Sequence, residues 1–139
     1  MKPRKRFGQN FMIEGNTLDA LAEALKIEPS DTILEIGPGL GFLTERLLEK
    51  NVPVLLLEKD RILAQRLSEE MAGKIRLLEK DILEVDPAVE FSLKHPIKVA
   101  GNIPYNITSP ILEWIVTHKK WIQCAVLTVQ WEVANRFQA

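Results

Sequence analysis

Short runs of consecutive apolar residues recur along the chain, and between them apolar residues return at every third or fourth position. Runs without polar alternation are typical of parallel strands covered on both faces, and the spaced stretches are typical of amphipathic helices. The order of the two patterns predicts an α/β fold with a mostly parallel sheet and helices on both faces. The predicted strands are Thr32–Ile36, Val54–Leu57, Ile75–Leu78, Ile97–Ala100 and Ile122–Val129.

The predicted helices have recognisable ends. One helix precedes the first strand, and a second covers Phe42–Lys50. Asp60 is a candidate N-cap for a third helix, which Gly73 closes. Ser109 followed by Pro110 is a typical N-cap and first-turn pair, so we expect a further helix to begin there, after the fourth strand.

Composition limits the class of protein. The chain has 139 residues, of which 46% are apolar and 27% charged, as expected for one globular domain. The net charge is −1, yet four cations, Lys2, Arg4, Lys5 and Arg6, lie close together at the start. Such a cluster is either a solvated terminus or a short arm that contacts the phosphates of a nucleic acid, so these four residues are candidate nucleic-acid-binding residues.

The single cysteine, Cys124, excludes a disulfide within the chain and is typical of a reducing compartment. No stretch approaches the roughly 20 apolar residues that span a bilayer, and the basic start lacks the apolar segment of a signal peptide. These features predict a cytoplasmic protein without a membrane partner.

A glycine-rich loop, Glu35-Ile36-Gly37-Pro38-Gly39-Leu40-Gly41, follows the first strand. Alternate glycines allow a tight turn and let a ligand lie against the backbone, so Gly37 and Gly39 are candidate cofactor-binding residues. The spacing is G-x-G-x-G, whereas the dinucleotide fingerprint that seats a pyrophosphate is G-x-G-x-x-G. A purely structural turn would give the same pattern.

Acidic residues follow the next two strands. Glu58 lies where a carboxylate can accept both hydroxyls of a ribose, and Asp81 lies where one can accept from the amine of a base. Alone, Glu58 would also suit a solvated charge and Asp81 a turn cap. Together with the glycine loop, the two acids describe a nucleoside slot without a phosphate seat, which favours S-adenosylmethionine over NAD as the cofactor.

The motif Asn102-Ile103-Pro104-Tyr105 follows the fourth predicted strand. If the substrate is the N6 amine of adenine, the side-chain oxygen of Asn102 and the carbonyl of Ile103 can accept its two N–H groups and free its lone pair. Pro104 fixes the backbone, and Tyr105 can stack on a flipped-out base. These four are candidate catalytic residues, and a proline turn with asparagine caps is the structural alternative.

These motifs, together with Phe7-Gly8-Gln9-Asn10-Phe11, resemble those of the ribosomal RNA adenine N6,N6-dimethyltransferase family, in particular its small-subunit (16S) branch. The resemblance covers residues 4–137 and implies a Rossmann-like, S-adenosylmethionine-dependent methyltransferase fold. It further implies that Asn10 and Met12 contact the cofactor, with Gly37 at its methionine part, Glu58 at the ribose, Asp81 at the adenine and Asn102 at both cofactor and target amine.

The implied reaction places two methyl groups on each of two adjacent adenosines in a hairpin loop near the 3′ end of 16S rRNA. The partner is the immature small ribosomal subunit, and no metal takes part. Two positions depart from the family pattern: Met12 stands where leucine is usual, and Trp131 stands where a lysine is common.

The resemblance also indicates a truncated chain, because family members continue with two further strands and a helical RNA-binding domain. We expect residues 1–15 to form a basic arm that covers the cofactor and residues 16–139 to form an incomplete methyltransferase domain. The fold would stop after about five strands. The fragment alone would be inactive, and its exposed fifth strand would favour self-association.

Three alternatives remain. The sister branch that dimethylates large-subunit rRNA, the macrolide-resistance type, shares nearly all of these motifs. A non-catalytic ribosome assembly factor is disfavoured by the intact Asn102 and Tyr105. An NAD-dependent dehydrogenase is disfavoured by the glycine spacing and by the lack of a histidine or lysine at a strand end.

Overall fold

The computed structural model describes residues 17–130, which form a sheet of five parallel strands with helices packed on both faces. The first helix, α1, includes residues 17–24. The other elements are β1 (Ile33–Ile36), α2 (Phe42–Leu48), β2 (Val54–Leu57), α3 (Arg61–Glu70), β3 (Arg76–Leu78), α4 (Pro87–Glu90), β4 (Ile97–Pro104), α5 (Thr108–Thr117) and β5 (Ile122–Gln130). No helix in this part of the chain has the length and apolar character needed to cross a membrane.

The strands lie in the order β3-β2-β1-β4-β5, and each neighbouring pair is parallel. Their carboxyl ends therefore meet at one edge of the sheet, where ligands bind in folds of this kind. Ile36 of β1 is level with Leu57 of β2 on one side and with Gly101 of β4 on the other. The residues that follow these three, Gly37, Glu58 and Asn102, are therefore brought to the same level of that edge.

Each face of the sheet has its own apolar layer. Ile33 packs in the layer formed with α1, α2 and α3, whereas Leu34 and Ile36 pack in the layer that contains Phe91, Ile111 and Trp114. Because both faces are covered, β1 and β2 are buried along their whole length. This double burial explains why the strands appear in the sequence as unbroken apolar runs and confirms the predicted fold class.

The structure corrects the prediction at β4. The strand does not end at Ala100 but continues through Asn102 and Ile103 to Pro104, because its pairing with β5 continues over the same residues. The motif that was expected to follow the strand therefore forms its last part. Strand geometry holds Ile103 extended, as the following proline predicted.

Two predicted helix starts have different outcomes. The N-cap at Asp60 is confirmed, since its side chain accepts a hydrogen bond from the backbone N–H of Leu63 at 3.0 Å. The predicted start at Ser109 and Pro110 is wrong. A single turn of 3₁₀-helix, Tyr105–Ile107, leads directly into α5 at Thr108, so Ser109 is already helical.

A buried ion pair fixes the end of α1 to the sheet. Lys98 of β4 donates from Nζ to the backbone oxygens of Leu25 and Lys26, each at 2.8 Å, and pairs with Asp31 Oδ2 at 2.8 Å. The side chain of Lys98 is 6% exposed. The hydrogen bond from Lys98 holds the pKa of Asp31 below its ordinary value. The ammonium group thus satisfies carbonyl groups at a helix end that would otherwise lack partners.

Candidate functional site

The glycine loop after β1 has an open side. Gly37 and Gly39 have φ angles of +63° and +57°, in the left-handed region that favours glycine. Among residues 17–130, a Cβ placed on either would meet nothing within 4 Å. The backbone N–H of Gly37 donates to the Leu57 oxygen at 2.8 Å, which continues the sheet pattern into the loop. Leu40, within the loop, and Phe42, just after it, are half exposed. The loop therefore presents bare backbone next to an apolar surface.

Glu58 lies directly against this loop. Its Oε1 accepts a hydrogen bond from the backbone N–H of Gly39 at 3.0 Å, and its Oε2 accepts one from the N–H of Asp60 at 3.0 Å. The residue is 6% exposed, so it is not a solvated surface charge. Each carboxylate oxygen can accept more than one hydrogen bond, which leaves acceptor capacity for hydroxyl groups of a ligand.

Asp81 lies in the connection that follows the end of β3 at Leu78, on the carboxyl side of the sheet. Its Oδ1 accepts from the backbone N–H of Leu83 at 3.0 Å and so caps the short 3₁₀-helix Ile82–Glu84. This contact is the one that the turn-cap alternative predicted. The side chain is partly exposed, and a carboxylate has further acceptor sites beyond the one used in the cap.

Glu35 is an acidic residue whose role the sequence did not reveal. It lies within the apolar strand β1, 2% exposed, and accepts a hydrogen bond from Thr44 Oγ1 of α2 at 2.6 Å. Burial raises the pKa of Glu35 to about 8, and the negative charge of Glu58 adds to the rise, against the effect of Thr44. Glu35 is therefore mainly protonated at neutral pH. The sequence feature that could have singled out Glu35 is its position as an acid in the middle of an apolar run.

Asn102 faces β5. Its side-chain Oδ1 accepts a hydrogen bond from Thr128 Oγ1 at 2.6 Å, and the two residues are register partners in the β4–β5 pair. Ile103 as a whole residue is 2% exposed, and its side chain packs in the core. Pro104 is exposed. Thr128 was not singled out from the sequence, although it is a polar residue within the apolar run of β5.

Several predicted site residues lie outside the described part of the chain. This group contains the basic residues Lys2, Arg4, Lys5 and Arg6, the cofactor candidates Asn10 and Met12, and Trp131. The side chain of Tyr105 also belongs to it. Within residues 17–130, no three His, Cys, Asp or Glu side chains are grouped so that they could hold a metal ion.

One edge of the sheet thus brings together open glycine backbone, two carboxylates and an asparagine amide. The carboxylates accept from hydroxyl or amino groups, and the amide provides an uncharged acceptor and donor. The loop lacks the spacing that seats a pyrophosphate. This set of groups suits a ligand with a nucleoside part and no phosphate.

Comparison with known proteins identifies a family that the chain matches. The family model for ribosomal RNA adenine dimethylase matches residues 1–139. The ribosomal RNA small subunit methyltransferase A of Prosthecochloris aestuarii is 43% identical over 98% of the chain, and the protein of that name from Magnetococcus marinus is 41% identical over 100%. The chain corresponds to 51% of the length of each, so it spans about half of these curated relatives.

Solved structures show the same fold. The 23S rRNA methyltransferase ErmE matches with a TM-score of 0.71 at 31% identity, over 86% of this chain and 48% of its own. A dimethyladenosine transferase from Plasmodium falciparum matches with a TM-score of 0.65 at 31% identity, over 89% of this chain and 44% of its own.

Proposed function

This chain belongs to the ribosomal RNA adenine dimethylase family, and from that premise we propose that the protein dimethylates two adjacent adenosines at N6 in the 3′-terminal hairpin loop of 16S rRNA. The methyl donor is S-adenosylmethionine, and the substrate is the immature small ribosomal subunit in the cytoplasm. The observation that carries the proposal is the common level of Gly37, Glu58 and Asn102 at one edge of the sheet. This common level supports a site in which cofactor-binding and acceptor groups lie side by side.

The residues after β1, β2 and β3 fit the cofactor. The space left beside Gly37 and Gly39 by the described residues supports this assignment for the methionine part, and the nearly buried carboxylate of Glu58 would accept the ribose hydroxyls. Asp81 would accept from the adenine amine while it caps its own turn. When bound, S-adenosylmethionine supplies a methyl group on a positively charged sulfur, which needs no anion-binding seat.

The end of β4 fits the acceptor. The lone pair of an adenine N6 amine is delocalised into the ring, so the nitrogen is a poor nucleophile. Asn102 Oδ1 and the carbonyl of Ile103 would accept its two N–H groups and release that lone pair for attack. Because the side-chain amide of Asn102 is neutral, it has no charge that would attract the positively charged methyl donor and hold it away from the target amine. The gain in reaction rate comes from alignment of the reacting groups and from fixed dipoles. Tyr105 would stack on the flipped base.

We assign two roles to the segment before α1: it covers the cofactor and contacts RNA. Residues 1–15 would form an arm in which Lys2, Arg4, Lys5 and Arg6 contact RNA phosphates, while Asn10 and Met12 contact the cofactor. The half-exposed side chains of Leu40 and Phe42 offer an apolar surface for such a cover. Residues 16–139 would form the methyltransferase domain.

The test is methyl transfer by the full-length protein. Small subunits that lack the modification are incubated with S-adenosylmethionine carrying a labelled methyl group, and mass mapping locates the labelled nucleotides. We expect four methyl groups on two adjacent adenosines near the 3′ end of 16S rRNA. Small subunits whose 16S rRNA stays unlabelled would contradict the proposal. A chain limited to residues 1–139, assayed alongside, is expected to be inactive.

A second candidate is dimethylation of large-subunit rRNA. One observation favours it: the structural similarity to ErmE, a 23S rRNA methyltransferase, at a TM-score of 0.71. The identity to that protein is 31%, compared with 43% to the small-subunit relative from Prosthecochloris aestuarii. A parallel assay on unmodified large subunits, in which 23S rRNA is labelled while small subunits stay unlabelled, would select this candidate.

A further inference from the structure

The contact between Thr128 and Asn102 joins two strands at the acceptor side of the candidate site. The two residues are register partners in the parallel pair β4–β5, and Thr128 Oγ1 donates to Asn102 Oδ1 at 2.6 Å. Both residues are intermediate in exposure, so water competes only partly for this bond. The contact is made inside the motif that we assign to the target amine.

The backbone beneath Asn102 is already fixed. At the preceding residue, Gly101, a Cβ would meet the Ile36 oxygen, Ile103 Cγ2 and Leu127 Cδ2, each at 3.3 Å. The strands are thus closely packed around this position. What the fold alone leaves free at Asn102 is the rotation of its side chain, whose terminal torsion has a broad and shallow preference.

We propose that Thr128 is a positioning residue, whose hydroxyl fixes the carboxamide of Asn102 so that it meets the target amine in a productive orientation. This inference rests on the proposed function. An amide oxygen has two lone pairs, so Oδ1 can accept from Thr128 and still accept from an amine N–H. Thr128 suits this task because branching at Cβ restricts its own side-chain rotation within a strand. The hydroxyl is therefore held in place before substrate arrives.

The experiment compares three variants of the full-length protein. Thr128→Val keeps the shape of the side chain and removes the hydroxyl, whereas Thr128→Ser keeps the hydroxyl. Thr117→Val is the matched control, because Thr117 donates to the Glu113 oxygen on the exposed side of α5. We expect Thr128→Val to lower kcat for methylation of small subunits about tenfold, with the KM values for both substrates within about twofold of the parent. Thr128→Ser and Thr117→Val should stay within about threefold of the parent rate.

A second readout does not depend on turnover. In ¹⁵N-labelled protein, the side-chain amide protons of Asn102 should shift in Thr128→Val and keep their positions in Thr117→Val. An unchanged kcat in Thr128→Val, or equal losses in Thr128→Val and Thr128→Ser, would overturn the inference, as would a rise in KM at constant kcat. If the parent protein transfers no methyl group to rRNA, the proposed function fails. An unmoved Asn102 signal would then reject the contact itself.

Discussion

Glu58 Oε1 accepts a hydrogen bond from the backbone N–H of Gly39 at 3.0 Å, so the acid after β2 helps to hold the loop after β1. The second oxygen of the same carboxylate accepts from the N–H of Asp60, immediately before α3. One side chain therefore ties together the two connections that border the proposed cofactor position. The acceptor assigned to the ribose is also a brace for the loop that would hold the methionine part.

Glu58→Ala should weaken S-adenosylmethionine binding by about 1–3 kcal/mol, because it leaves buried polar groups without partners and removes the proposed ribose acceptor. Calorimetric titration of the full-length protein measures the change. Glu79→Ala is the control, since Glu79 is an exposed acid next to β3 at the same sheet edge. Equal affinity in the Glu58 variant and the parent would refute the assignment.

Asp81 needs a variant that separates its two tasks. Asp81→Asn keeps a side-chain oxygen that can accept from the N–H of Leu83, so the cap and the thermal stability should be retained. The loss of one carboxylate acceptor should still weaken S-adenosylmethionine binding, by about 1 kcal/mol. Asp81→Ala should lose both stability and binding. Thermal unfolding without ligand and calorimetry with ligand distinguish these results, and unchanged binding in Asp81→Asn would assign Asp81 to the cap alone.

Asn102→Ala should lower kcat for rRNA methylation by at least about a hundredfold, since it removes the acceptor that we propose for the reacting amine. Cofactor affinity should fall only partly, because Glu58 and the glycine loop remain. Single-turnover methyl transfer measures the methylation rate, and calorimetry on the same preparation measures the cofactor affinity. Normal methylation by this variant would exclude the acceptor role.

Glu35 should make stability depend on pH. Its pKa is raised from 4.5 to about 8 in the folded protein, so between these values the native state holds a proton that the unfolded chain has lost. Stability should therefore fall as pH rises through this window, by about 1.4 kcal/mol per pH unit, and level off on either side.

Glu35→Gln tests this pH dependence, because its amide oxygen can still accept from Thr44 and does not ionise. Urea unfolding of the parent and the variant from about pH 5 to about pH 9 should show a gap in favour of Glu35→Gln that widens with pH. Parallel curves would show that Glu35 does not titrate in this range.

Lys98→Met should destabilise the fold by about 3 kcal/mol, because it leaves the carboxylate of Asp31 and two helix-end carbonyl groups without their cation. Urea unfolding measures the difference. Lys50→Met is the matched control: Lys50 pairs with Glu23 at 3.4 Å on the exposed surface and should matter by less than about 0.5 kcal/mol. Similar losses in both variants would contradict this interpretation.

The strands were predictable because burial on both faces requires unbroken apolar runs, and β2 matches its predicted bounds, Val54–Leu57. The end of β4 was not predictable in the same way. Asn102 and Pro104 are weak strand formers, and the strand continues through them because β5 pairs with it up to Gln130. That partner is remote in sequence, so local preference pointed to a turn.

The same limit applies to the candidate site. Gly37, Glu58 and Asn102 could be found because each follows or ends an apolar run, and parallel strands bring such residues to one edge. Thr44 and Thr128 could not, because each acts through a side chain on a neighbouring element, 9 and 26 residues away from Glu35 and Asn102, respectively. Only the fold shows which polar residue within an apolar run meets which partner.

The strand order also sets the course of folding. The pairs β1–β2 and β2–β3 join strands that are consecutive in the chain. Pairing of β1 with β4 closes a much longer loop, because β4 begins roughly sixty residues after β1 ends. Closing so long a loop is slow, so we expect the half with Glu58 and Asp81 to form before the half with Asn102 and Thr128. Docking of these halves is then the kinetic event that assembles the candidate site in a newly synthesised chain.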